Sequence, residues 1–144
     1  MRVIIDADAC PVLEIALDIA KYHKLPCTLV CDNSHYFSFD DVEIITVDRG
    51  ADSADIRIAN IVKAGDVVVT QDYGVAAMAL GKKAKAINQN GLIFTESNIE
   101  TLLFSRYINH KARLSGQRTR GPSKRTSHED VAFMKSFRAL LEEE

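Results

Sequence analysis

The segment VIIDADACP, residues 3–11, decides how the rest of the chain reads. Val3, Ile4 and Ile5 form a short β-branched run that stops at Asp6, Asp8 and Pro11. A β-branched run bounded by turn residues predicts a buried strand. Acids directly after a strand have a plain reading as a solvated loop. They have a sharper one in a parallel α/β sheet, where ligands bind beyond the carboxyl ends of the strands.

Working outward, residues 11–24 repeat apolar positions with helical period through Val12, Ile15, Ala16, Ile19 and Ala20. Pro11 suits the first turn of such a helix, where no N–H is needed. CTLVC (27–31) and VEIITV (42–47) read as strands. Residues 53–65 return to helical period through Ile58, Ile61 and Val62, with Gly65 as the stop. DVVVT (66–70) is a fourth strand, YGVAAMALGKK (73–83) a small-residue helix, and AKAIN (84–88) a fifth strand closed by the turn NQNG. A long helix over about 97–114 follows, then a basic loop at about 115–126. A last helix covers about 128–142, with Ser127 as N-cap and Asp130 three residues on. Strands alternating with helices predict an α/β fold: a parallel sheet with helices on its faces. The C-terminal helices add to this one domain over 1–144, because the last helix alone has too little surface to form a core.

The chain is 47% apolar and 26% charged, as soluble globular proteins are. It holds no apolar run of membrane-spanning length and opens without a signal peptide, so a cytoplasmic location and no membrane association are expected. Cys27 and Cys31 lie four residues apart along one strand, ~13 Å, too far for a disulfide. With Cys10 they are expected to be reduced, mostly buried thiols.

The acids then fall into a pattern. Asp6 ends the first strand, Asp8 follows it, and Asp72 follows VVVT; Asp52 and Asp55 open the helix after the third strand. The strand-end acids belong to one sheet edge. Hard cations take oxygen ligands, and a divalent ion removes the repulsion among clustered carboxylates. It also activates water for attack on phosphate. Asp6, Asp8, Asp52, Asp55 and Asp72 are therefore candidate ligands of Mg²⁺ or Mn²⁺. Asp6, Asp8, Asp55 and Asp72 are the candidate catalytic set, with Ser53 and Thr70 orienting them through hydrogen bonds. The plain reading of Asp52 or Ser53 is a helix cap. His35, in NSHYF, follows the second strand and is a loop histidine near the same edge.

Charge is divided unevenly. Residues 105–128 carry seven Lys/Arg and no acid, in a chain of net charge −2. Such a segment on an acidic body suits a polyanion. Arg113, Arg118, Arg120, Lys124 and Arg125 are candidate phosphate contacts. Few aromatics accompany them, so base stacking is expected to be minor and sequence specificity low.

DADACP, GADSADIRI, GDVVVTQDYGVAAMAL and SGQRTRGPSKRTSHEDVAFMKSF resemble the motifs of the bacterial YaiI/YqxD family, over residues 1–142. That family is grouped with the PIN-like nuclease domains. The resemblance implies a PIN-like fold, a Rossmann-like three-layer α/β/α sandwich with a mostly parallel sheet, with acids around Mg²⁺ or Mn²⁺ and cleavage of RNA. Asp6 then fits the first-strand acid, Asp55 the helix acid and Asp72 the acid after the T-x-D strand; Asp8 and Asp52 have no secure counterpart. RNA is the implied partner, and a homodimer stays open. Two other classes compete. One is a non-catalytic RNA-binding or regulatory module of the same fold. The other is a haloacid-dehalogenase-like phosphatase, where Asp6 would be the nucleophile and Asp8 the general acid. A trapped phospho-aspartate would mark the latter.

Overall fold

The first strand, β1 (Val3–Asp6), lies at the centre of the sheet with a parallel neighbour on each side. The computed structural model describes residues 1–33, 36–48, 53–116 and 124–143. From β1 the chain runs through α1 (Leu13–Tyr22), β2 (Cys27–Asp32), β3 (Val42–Val47), α2 (Ser53–Ile61), β4 (Val67–Val69), α3 (Tyr73–Gly81), β5 (Lys85–Ile87), β6 (Ile93–Phe94), α4 (Glu96–Leu114) and α5 (Ser127–Glu142). The sheet order is β3-β2-β1-β4-β5-β6, parallel except for the antiparallel β5–β6 pair. β1 leads outward to β2 and β3. The chain then returns to β4 on the other side of β1 and continues outward to β5. The order therefore reverses between β1 and β4, where α/β sheets open a crevice for ligands.

Reversal of direction also explains the layers. Crossovers between parallel strands are right-handed, so opposite directions of travel place helices on opposite faces. Val3, Ile5 and Ala7 pack with α1 and with Phe133, Phe137, Leu140 and Leu141 of α5. Ile4 points the other way, into a core with Ile58 of α2, Val75, Ala76 and Ala79 of α3, and Ile99 of α4. Val3, Ile4 and Ile5 have no exposed surface, as expected of a strand covered on both faces. α5 shares the core of β1 and α1, so it belongs to the domain rather than trailing from it. Between β2 and β3 no helix intervenes among the described residues; instead Phe37 and Phe39, stacked at 6.3 Å, pack against the α1 face.

Several local expectations shift. Pro11 lies in a turn before α1, which starts at Leu13 with Val12 as N-cap. The cap of α5 is Thr126 rather than Ser127: Thr126 is extended, and its hydroxyl accepts from His128 N–H. Glu129 closes the capping box from the third helical position, while Asp130 is held by Arg125. The strand β6 was not expected, being only two residues long. The NQNG turn joins it to β5 as a hairpin. Asn88 Oδ1 accepts from the backbone of Asn90 and of Leu92, both at 2.9 Å. Cys10, Cys27 and Cys31 are free thiols, the latter two buried. Burial raises the Cys27 thiol to about 11, which keeps it unreactive. No described helix is long and apolar enough to cross a membrane.

Candidate functional site

The site lies where β1 and β4 end side by side. Ile5 pairs with Val69, so the next residues along, Asp6 and Thr70, are neighbours across the two strands. Thr70, itself buried, donates its hydroxyl to Asp6 Oδ2 at 2.9 Å. The same hydroxyl accepts from Asp72 N–H at 3.0 Å, so Thr70 fixes both acids at once. Asp72 then caps α3: its Oδ1 accepts from Gly74 N–H at 2.7 Å and Val75 N–H at 3.3 Å. Asp8 lies one turn beyond Asp6, where its Oδ2 accepts from Asp32 N–H at the end of β2. The chain turns just past Asp8, where Ala9 takes φ 57°, and Gln71 donates to the Ala9 carbonyl. Short links thus tie the ends of β1, β2 and β4 together.

Asp6, Asp8 and Asp72 line one shallow groove with Gln71, Tyr73 and Arg106. Burial pushes the Asp6 carboxyl up to about 6, the Thr70 hydrogen bond pulls it down, and the charges of Asp55, Asp72 and Asp8 push it up again. The other members of the expected catalytic set are therefore close enough to act on Asp6. They do not converge on a point: among the described residues no three His, Cys, Asp or Glu side chains form a closed metal-binding cluster. The donor chemistry still fits a hard divalent cation, being all oxygen and short of positive charge. Asp6 Oδ1 and Asp72 Oδ2 carry no hydrogen bond among the described residues, and both acids border the groove.

The other expected residues are distributed as follows. Asp55 stands in the first turn of α2. Ser53 opens that helix and lines a neighbouring groove with Asp48 and Arg57 instead of the Asp6 groove. Asp52, His35, Arg118 and Arg120 lie outside the described residues. Lys124 is exposed, and Arg113 lies on the exposed half of α4. Arg125 is spent internally. Its guanidinium donates to Asp130 Oδ1 at 2.8 and 3.0 Å, to Asn90 Oδ1 at 2.7 Å and to the Gln89 carbonyl at 2.7 Å. It clasps the β5–β6 loop to the start of α5. Arg125→Ala is expected to cost about 1–2 kcal/mol of stability, as loss of charge-assisted hydrogen bonds on a partly exposed residue does. It should leave the salt dependence of any nucleic-acid binding unchanged; urea melts and binding titrations check the two halves.

Three groove residues were not singled out by sequence. Gln71 and Tyr73 flank Asp72 in the chain, so their nearness was open to view. Arg106 arrives from α4, with Nη1 3.6 Å from Asp72 Oδ1, its own side chain exposed and that of Asp72 half-buried. Solvent-accessible pairs of this kind are weak, so Arg106 can exchange Asp72 for another anion at little cost. Arg106 and Tyr73 also line a second, larger groove along α4, together with Tyr107, His110 and Arg113.

The fold and the groove define a class: an α/β protein with carboxylates at the switch point of its parallel sheet. Within that class, the chain belongs to the uncharacterised bacterial YaiI/YqxD family, whose model matches residues 4–143. It is similar to a UPF0178 protein of Ruminiclostridium cellulolyticum, with 46% identity over all of this chain and 94% of the relative. It is similar to another from Exiguobacterium sibiricum, with 45% identity over 99% of this chain and 98% of the relative. Among solved structures, Rae1 (YacP) from Bacillus subtilis aligns over 98% of both chains at 18% identity and a TM-score of 0.45, too slight a likeness to carry an argument.

Proposed function

We propose that this protein is a metal-dependent phosphodiesterase acting on RNA, a PIN-like nuclease in chemistry as in layout. The observation that carries the reading is the junction of two grooves: the acidic one at Asp6, Asp8 and Asp72 opens onto the cationic one along α4, and Tyr73 and Arg106 border both. A polyanion held by the second groove would present a phosphate to the first. Asp6 and Asp72 would hold Mg²⁺ or Mn²⁺ directly, with Asp8 and Asp55 holding its waters or a second ion. The bound cation would supply charge neutralisation and an activated water. The chain's own contribution is position. Thr70 aims Asp6, the Asp32 N–H aims Asp8, and the α3 cap aims Asp72, so none must reorganise on binding. Arg106 stands at the rim to take a phosphate oxygen.

Incubation of single-stranded RNA with the protein and Mn²⁺ or Mg²⁺ is expected to give cleavage products that vanish with chelator. Intact RNA after exposure to both metals at high protein concentration would remove the catalytic reading. One observation favours a second reading, a non-catalytic RNA-binding module: the acids ring the groove without closing into a metal cluster among the described residues. Binding of RNA without cleavage is its signature.

A further inference from the structure

We propose that the groove along α4 is a subsite for single-stranded nucleic acid, with Tyr107 as its base-stacking platform; this rests on reading the acidic groove as a phosphodiester site. Arg106, His110 and Arg113 recur at i, i+4 and i+7, so they share one face of α4. Arg106 and Arg113 are two turns apart, ~10.5 Å along the axis. Every charged side chain lining this groove is cationic, and α4 has no acid after Glu100. The face runs continuously into the acidic groove through Arg106 and Tyr73.

Charge alone would suit any polyanion, duplex or single-stranded. The rings decide between them. Tyr107 is 53% exposed on the outer half of α4, too open to serve the core. Lys111 Nζ lies 5.5 Å from its ring centroid, a cation–π contact that steadies the ring without burying it. Across the groove, Tyr73 is anchored edge-on to buried Phe94, with centroids 5.8 Å apart. A cationic track with a presented aromatic ring is how proteins hold unpaired strands: phosphates follow the charges and a base stacks on the ring. Bases in a duplex are already stacked on one another and cannot use it. The remaining polar residues there, Ser105 and Asn109, are too few to read a sequence, so the subsite tolerates many bases.

The test is fluorescence anisotropy with a labelled oligouridylate of about a dozen nucleotides, in chelator so that no cleavage intervenes. Tyr107→Ala is expected to weaken binding about tenfold or more, the range found for loss of one stacked base. Its log–log salt slope should match the wild type, since no charge is lost. Tyr107→Phe should bind like the wild type, because the ring is kept. The double variant Arg106→Gln, Arg113→Gln should flatten the slope by about 1.4, two phosphates at about 0.7 each. A duplex of equal length should compete poorly. Wild-type affinity in Tyr107→Ala, or equal competition by duplex, overturns the proposal. The two readings separate cleanly. Weakened binding in Tyr107→Ala without any metal-dependent cleavage by the wild type keeps the subsite and removes the catalysis. Cleavage with unaltered binding in Tyr107→Ala does the reverse.

Discussion

Replacing Asp6 with Asn is expected to stabilise the metal-free protein at neutral pH and to remove most of its response to divalent cations. The first half follows from the carboxyl's position. Burial, with the charges of Asp55, Asp72 and Asp8, raises Asp6 to about 6 despite the Thr70 hydrogen bond. The folded protein therefore holds this proton more tightly than the unfolded chain, whose Asp titrates at about 3.9. Below about pH 4 both states are protonated and there is no penalty. As pH rises from about 4 to about 6 the unfolded state ionises first, and stability falls; above about 6 the loss is complete and flat. The gap between the folded and unfolded carboxyl corresponds to at most about 3 kcal/mol. Asn carries no charge and its carbonyl can still accept from Thr70. The variant should thus lack this descent and gain about 1–3 kcal/mol at pH 7–8, read as a melting temperature several degrees higher.

The second half turns on the same proton. A divalent cation binding the folded state adds RT ln(1+[L]/Kd), ~2.7 kcal/mol at a hundredfold excess over Kd. Protons compete for Asp6, so the metal-induced rise should fade as pH drops below about 6. Thermal melts of wild type and Asp6→Asn, with and without Mn²⁺, at several pH values between about 4 and about 8, decide the matter. A full metal shift in Asp6→Asn would place the ion elsewhere. Parallel pH profiles of the two proteins would show that Asp6 is not the buried acid described.

Much of this was legible in the sequence because the signals were local. The run Val3–Ile5 and its acids, the helical period of α1, and the VVVTQD segment each identify an element within a few residues. Their alternation then implies the parallel sheet, and the sheet implies that Asp6 and Asp72 share an edge. What the sequence concealed depends on contacts between distant segments. A charge count cannot distinguish Arg113, on the exposed helix face, from Arg125, whose partners Gln89 and Asn90 come from the β5–β6 loop. Nor can it show that Tyr73 and Tyr107 meet across a groove, since only the packing of α3 against α4 brings them together. The basic segment itself carries one aromatic, Tyr107, and Tyr73 joins it in the same groove from a distant part of the chain. Helix capping was displaced for a similar reason: Asp130 has the spacing of a box partner but is taken by Arg125, so Thr126 and Glu129 form the box.

Gly91→Ala is expected to be the most damaging small substitution outside the core, at about 3 kcal/mol or more. Two effects combine there. Gly91 has φ +86°, a left-handed conformation that costs an L-residue roughly 1–2 kcal/mol. An added Cβ would also stand 2.6 Å from the Ala132 carbonyl oxygen of α5, with Ser136 Oγ at 3.1 Å. The nearest atom is helix backbone, which cannot swing aside as a side chain does. Either the β5–β6 loop or α5 must shift, and both are held by the Arg125 clasp to Asn90, Gln89 and Asp130. The shift would be felt at the core, because Phe133 and Phe137 lie within the same helix and are fully buried. Gly65 isolates the conformational cost. It has nearly the same φ, +88°, and an added Cβ there meets nothing within 4 Å. Gly65→Ala should therefore lose only that cost, and the difference between the two variants measures the loop–helix contact. Urea melts of both compared with the wild type provide the check. Equal losses in the two variants would mean that α5 does not rest on this loop, and that the clasp beside the site holds less than its four hydrogen bonds suggest.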